Sequence, residues 1–137
     1  MEYYEYAIKD ITARVNFFNG LDICDVRKLY YNVSTVLVCL EYVSNQYLKS
    51  FTYKDTLEAV EKVYNSFNYV FKKKNLEVEK LLAQTSQQKT YNILVLKDGA
   101  VKYCEYKLKQ KRINDFKAKL KKIKLINSLN NFIKGRK

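Results

Sequence analysis

Histidine, proline and tryptophan are absent from this 137-residue chain, and glycine and cysteine occur three times each. Without histidine there is no side chain whose ordinary pKa lies near neutrality, no imidazole ligand for zinc, and no Ser–His or Cys–His couple. Cys24, Cys39 and Cys104 are odd in number and form no C-x-x-C pair, so neither a disulfide framework nor a zinc site is indicated. All three are expected to be buried free thiols in a reducing compartment. The start, Met1-Glu2-Tyr3-Tyr4-Glu5, lacks the basic and apolar regions of a signal peptide. The longest unbroken apolar run, Val36 to Leu40, is far too short for a membrane span. The expected setting is therefore intracellular: cytoplasmic, or nuclear in a eukaryote or its virus.

What is present is a core and a large positive charge. The hydrophobic fraction of 47% is in the globular range, and the length suits one domain. The formal net charge is +12, from 22 lysines and only 4 arginines against 14 acidic residues. Abundant Lys, Asn, Ile, Tyr and Phe reflect an AT-rich coding bias, as in a virus or other mobile element. Bias alone would spread the lysines evenly, and they are not even. Residues 1–68 carry 7 basic and 9 acidic side chains, whereas residues 69–137 carry 19 and 5. From Lys107 onward, 12 basic residues face Asp115 alone. Such asymmetry is the footprint of a polyanion partner, because a merely solvated surface mixes its signs.

Apolar spacing predicts helices in the first half. Tyr4, Ile8, Ile11, Val15 and Phe18 mark a helix over residues 3–18, stopped by Asn19-Gly20. A second, with Asp22 or Asp25 as its cap, buries Val26, Leu29, Val33, Leu37, Leu40 and Tyr47. Thr52-x-x-Asp55 has the form of a helix start, and Leu57, Val60, Tyr64, Phe67 and Phe71 follow on one face. Lys72-Lys73-Lys74-Asn75 breaks that pattern before Leu76, Val78, Leu81 and Leu82 resume it, and Thr85 to Thr90 is a polar connector. Short loops between such helices imply an antiparallel bundle whose many Tyr and Phe side chains are core.

The pattern then changes. Tyr91 to Leu96 is a short β-branched run, Lys97-Asp98-Gly99 has the composition of a hairpin turn, and Val101 to Leu108 partly alternates. Farther on, Ile113, Phe116, Leu120 and Ile123 form an apolar stripe among lysines, which is expected to serve the core, and Leu125 to Ile133 continues this helix or forms a short second one. The expected fold is α+β and mainly α: a single domain with a neutral antiparallel helical bundle (1–84), a β-hairpin (91–108) and a basic helical segment (109–137).

Residues 91–107, from Tyr91-Asn92-Ile93-Leu94 through Lys97-Asp98-Gly99 to Glu105-Tyr106-Lys107, resemble the catalytic hairpin of PD-(D/E)xK nucleases, with archaeal Holliday-junction resolvases the nearest comparison. The resemblance implies that an acidic residue on the first strand and a Glu-x-Lys on the return strand hold magnesium against a phosphate. Glu105 and Lys107 are the matching candidates, and Glu77 or Glu79 would supply a further acid. Asn92 stands where that pattern has its metal-binding Asp, and a neutral amide is a poor ligand for a hard dication.

The leading expectation is non-enzymatic. Lys107, Lys109, Lys111, Arg112, Lys117, Lys119, Lys121, Lys122 and Lys124 make sequence-independent phosphate contacts with nucleic acid, DNA in preference to RNA, with no cofactor and no metal. The first alternative is an interaction or assembly module, with the bundle oligomerising or docking on a host protein. The second is the nuclease or its inactive descendant.

Overall fold

The computed structural model describes residues 2–135; Met1, Arg136 and Lys137 lie outside the described residues. Seven helices and no strand occur among the described residues: α1 (Tyr3–Asn19), α2 (Asp25–Ser50), α3 (Tyr53–Phe67), α4 (Tyr69–Lys72), α5 (Leu76–Ala83), α6 (Gln88–Leu94) and α7 (Gly99–Gly135). The fold is all-α. Contacts divide it into two compact units, one ending at Glu105 and one beginning at Tyr106.

In the first unit, α2 packs against both α1 and α3, α1 packs against α3, and α2 also meets α4 and α5. Spacings of three and four residues place Ile11 and Val15 of α1, Val33, Val36, Leu37, Leu40 and Val43 of α2, and Val60 and Val63 of α3 on facing stripes, all nearly inaccessible to water. The first two helices run antiparallel. Asn32 Nδ2 donates to Asn19 Oδ1 at 2.9 Å at one end, and the Tyr4 backbone N–H donates to Tyr47 Oη at 3.3 Å at the other.

Polar side chains set several boundaries. Thr52 and Asp55 form a reciprocal capping box at the start of α3, as their spacing predicts. Asn75 Oδ1 accepts from the N–H groups of Glu77 and Val78 and so starts α5. At α2 neither expected aspartate caps: Cys24 holds the cap position without a side-chain bond, and Asp25 is already helical. The polar connector is also shorter than expected, since α6 begins at Gln88.

The expected β-hairpin does not form. Residues 91–108 are α6, a turn and the start of α7. Burial explains the outcome. Tyr91 and Leu94 are buried three residues apart, and Ala100, Tyr103 and Cys104 repeat the helical spacing, whereas Val95 is 43% exposed. In a strand, Tyr91, Ile93 and Val95 would share one face, which is not the face this core uses. The turn composition of Lys97-Asp98-Gly99 serves a helix–helix connection instead: the Gly99 N–H donates to the Leu96 carbonyl and the Lys102 N–H to the Asp98 carbonyl. Gly99 is required by close approach, because a Cβ there would collide with the backbone of Leu94. The Tyr103 and Ser44 hydroxyls meet at 3.2 Å in the buried interior, tying the first turns of α7 to α2.

Cys39 and Cys104 are buried and Cys24 is exposed, so the expectation of three buried thiols fails for Cys24. Burial pushes the Cys104 thiol up to about 12, with Glu61 and Glu105 adding to the effect, and it raises Cys39 as well. Tyr47, Phe67 and Phe71 are core residues as expected of the bundle, Tyr91 and Tyr103 join them from the segment expected to be a hairpin, and Tyr3, Tyr6, Phe17, Tyr42 and Phe51 are exposed.

Candidate nucleic-acid interface

The second unit is the continuation of α7 from Tyr106. Its sequence holds 12 basic residues and one acidic residue, a net of +11, whereas the 105 residues before it sum to +1. All nine basic residues singled out above, from Lys107 to Lys124, lie on this one helix. At 1.5 Å per residue they extend over roughly 25 Å. Arg112 and every residue after it up to Gly135 are exposed, as is Lys109, while Lys107 and Lys111 are half-buried.

The helix does not bring these residues into one line. Lys117, Lys121 and Lys124 fall at i, i+4 and i+7 and share a face. Lys111 and Lys122, eleven residues apart, share another about a third of a turn away. The result is a broad cationic surface that wraps the helix and flanks the apolar stripe on both sides. Within it, Lys111 Nζ is bound to Asp115 at 2.9 Å, and both groups are solvated, so the pair holds little energy but lowers the local charge. Elsewhere on the helix, Gln110 Nε2 donates to Tyr106 Oη at 2.6 Å.

The apolar stripe is not part of a core. Ile113, Phe116, Leu120 and Ile123 are 44, 62, 38 and 54% exposed, contrary to the expectation that they serve the interior. Leu125 to Ile133 continues the same helix rather than forming another. The apolar positions shift around the helix as they do so: Leu120 to Ile126 is about one and two-thirds turns, so Ile126, Leu129 and Ile133 lie on average about a third of a turn from Phe116 and Leu120.

The nuclease candidates do not assemble. The hairpin geometry on which that resemblance depends is absent, and Glu105 and Lys107, two residues apart on a helix, point about 200° from each other around the axis. Glu77 and Glu79 lie on α5. No cluster of three or more His, Cys, Asp or Glu residues suited to a metal ion occurs among the described residues. No helix of the described residues is long and apolar enough to cross a membrane.

A second basic feature was invisible at the level of motifs. In the first unit, a cleft of about 480 Å³ is bordered by Lys72, Lys74 and Lys97, which come from the end of α4, the link to α5 and the turn before α7. Its floor is aromatic: the Tyr64 and Phe71 rings stack with centroids 5.8 Å apart, and Phe71 meets Tyr91 at 6.1 Å. The Tyr64 hydroxyl donates to the Leu94 carbonyl at 2.6 Å, which locks α3 to the end of α6. The Lys72-Lys73-Lys74 run was legible as a helix break, but its meeting with Lys97 is a product of tertiary structure. Comparison with known proteins adds no relatives: no protein family, curated protein or solved structure matches the chain.

Proposed function

We propose that this protein binds nucleic acid through the basic surface of α7, holding the phosphate backbone without reading sequence. The observation that carries this reading is the segregation of charge: +11 of the net +12 belongs to the 32 residues from Tyr106 onward. The nine basic residues are mainly lysine, a point charge suited to phosphate oxygens, while the arginine fork suited to base edges occurs once among them. Each phosphate neutralised releases condensed counterions, so affinity must fall steeply with salt. Titrating the full chain against two unrelated duplexes at several salt concentrations tests this. If about six lysines engage, the log–log slope is roughly −5 and the same for both duplexes. Absent or salt-independent binding overturns the reading.

An interaction reading that differs from docking by the bundle, with α7 as the docking element, has one specific observation in its favour, the exposed Ile113/Phe116/Leu120/Ile123 stripe. Its 3-4-3 spacing is that of a helix seam. The flanking positions, Arg112, Lys117, Lys119 and Lys124, are all basic, so two copies of this helix repel one another and an acidic partner helix is favoured. Sedimentation of the full chain at low and high salt separates the cases. A monomer at low salt that self-associates only when charge is screened indicates a stripe waiting for an acidic partner.

A further inference from the structure

We infer that the cleft bordered by Lys72, Lys74 and Lys97 is a nucleotide site: it takes the phosphate at its lysine rim and the base against its apolar wall. The inference deepens the nucleic-acid reading and depends on it for the source of the nucleotide, but the residues belong to the first unit and are separate from the α7 surface.

Four features point to that ligand class. Three lysines border the cleft and all are exposed, so their ammonium groups stay hydrated and available to an anion. The cleft's volume of about 480 Å³ is in the range of small-ligand pockets and far below a protein-docking surface. Val95 and Leu96 also line it and are 43 and 46% exposed, an apolar wall that a bare anion would leave wetted and a planar base would cover. Asn65 and Asn68 line it with amide groups, and Glu79 is its one carboxylate, which can accept from a sugar hydroxyl or a base amine. The positions of these groups are fixed from below. Tyr64 is held by its bond to the Leu94 carbonyl, and burial raises the Tyr64 and Tyr91 phenols, with Glu79 adding to the effect at Tyr91. Asn75 adds rigidity beside Lys74 by capping α5.

An inorganic anion alone would need the lysines and not the wall. An acidic protein segment would need a longer groove than this cleft provides. A nucleoside phosphate uses both parts, and it can be free or the phosphorylated end of a single strand.

The test uses the full chain with three probes: inorganic phosphate, nucleoside 5′-monophosphates, and a short 5′-phosphorylated single strand. Binding is followed by amide chemical shifts and calorimetry. The variants are K72E/K74E/K97E in the cleft and K117E/K121E/K124E on α7, each checked for unchanged helix content by circular dichroism. The expected result is a monophosphate bound at least about tenfold more tightly than phosphate, with shifts at Tyr64, Asn68 and Leu96. The cleft variant should weaken it by about tenfold or more, and the α7 variant should leave it unchanged. Competition by the phosphorylated strand places the ligand at a strand end, and lack of competition makes it a free nucleotide; both uphold the site. Equal binding of phosphate and monophosphate, or a monophosphate indifferent to the cleft variant, overturns it. The nucleic-acid reading fails separately, if duplex affinity ignores the α7 variant.

Discussion

The helices of the first unit and the helix of the second are held by different forces. In α2, burial of Val36, Leu37, Leu40 and Val43 against neighbouring helices holds the helix. At about 1.5–3 kcal/mol for each large side chain taken out of water, such stripes outweigh any propensity term. Beyond Tyr106, α7 has no buried residue among those described, so its helicity rests on local terms of a few tenths of a kcal/mol each. Some of those terms are unfavourable: Lys107/Lys111 and Lys117/Lys121 are like charges at i,i+4. One region carries this repulsion while the other balances its charge almost to zero, and the polyanion proposed above would neutralise it.

The contrast can be broken first by cavity. Leu40→Ala removes a fully buried side chain and should cost about 2–5 kcal/mol in urea denaturation. Leu120→Ala, at 38% exposure, should change stability by less than about 0.5 kcal/mol. Similar losses at both sites would mean that the stripe on α7 is a core after all. A smaller effect is expected at the α6–α7 turn. There, Gly99→Ala drives a methyl into the Leu94 backbone and should cost about 1–3 kcal/mol, read as a lowered melting temperature. A hairpin turn, by contrast, would use glycine for its positive φ, and no described glycine has one.

The gentlest probe changes no residue. Cys24 is exposed while Cys39 and Cys104 are buried, so one thiol per chain should react rapidly with a disulfide reagent and three after denaturation. The Cys104 pKa, raised by burial to about 12, gives the pH dependence its sign. The native state keeps the proton that the unfolded chain loses near its ordinary value of about 9. The stabilising contribution is therefore complete below pH 9 and falls between 9 and 12 by about 1.4 kcal/mol per unit. A stability that begins to fall on account of this thiol well below pH 9 would contradict it.

Much of the first unit was legible in the sequence because its signals are local. The three-and-four spacing of Ile11 and Val15, the stripe through Leu37 and Leu40, and the Thr52/Asp55 box each lie within one helix. Residues 91–108 were misread because Ile93, Leu94 and Val95 suit a strand or a helix equally, and Lys97-Asp98-Gly99 turns a chain in either case. What decided the matter was tertiary: Tyr91, Leu94 and Tyr103 all reach the same core only if both segments are helical. On α7 the lysines were found at once, since charge is counted without a fold. The exposure of Ile113, Phe116, Leu120 and Ile123 was not, because an amphipathic stripe looks the same whether or not anything covers it. The Lys72/Lys74/Lys97 cleft was beyond reach for the complementary reason, being made of residues 25 positions apart.

The most direct test of the central claim is a pair of charge reversals matched in size and placed in the two regions. K117E/K121E/K124E on α7 and K9E/K49E/K54E on the first three helices each convert three exposed lysines. Duplex affinity of the full chain, measured over several salt concentrations, should fall by well over tenfold at the lowest for the α7 variant, with the salt slope reduced by about 3. The first-unit variant should stay within a few-fold of the parent. Equal losses from the two would show that only net charge matters, and would contradict a binding surface on α7.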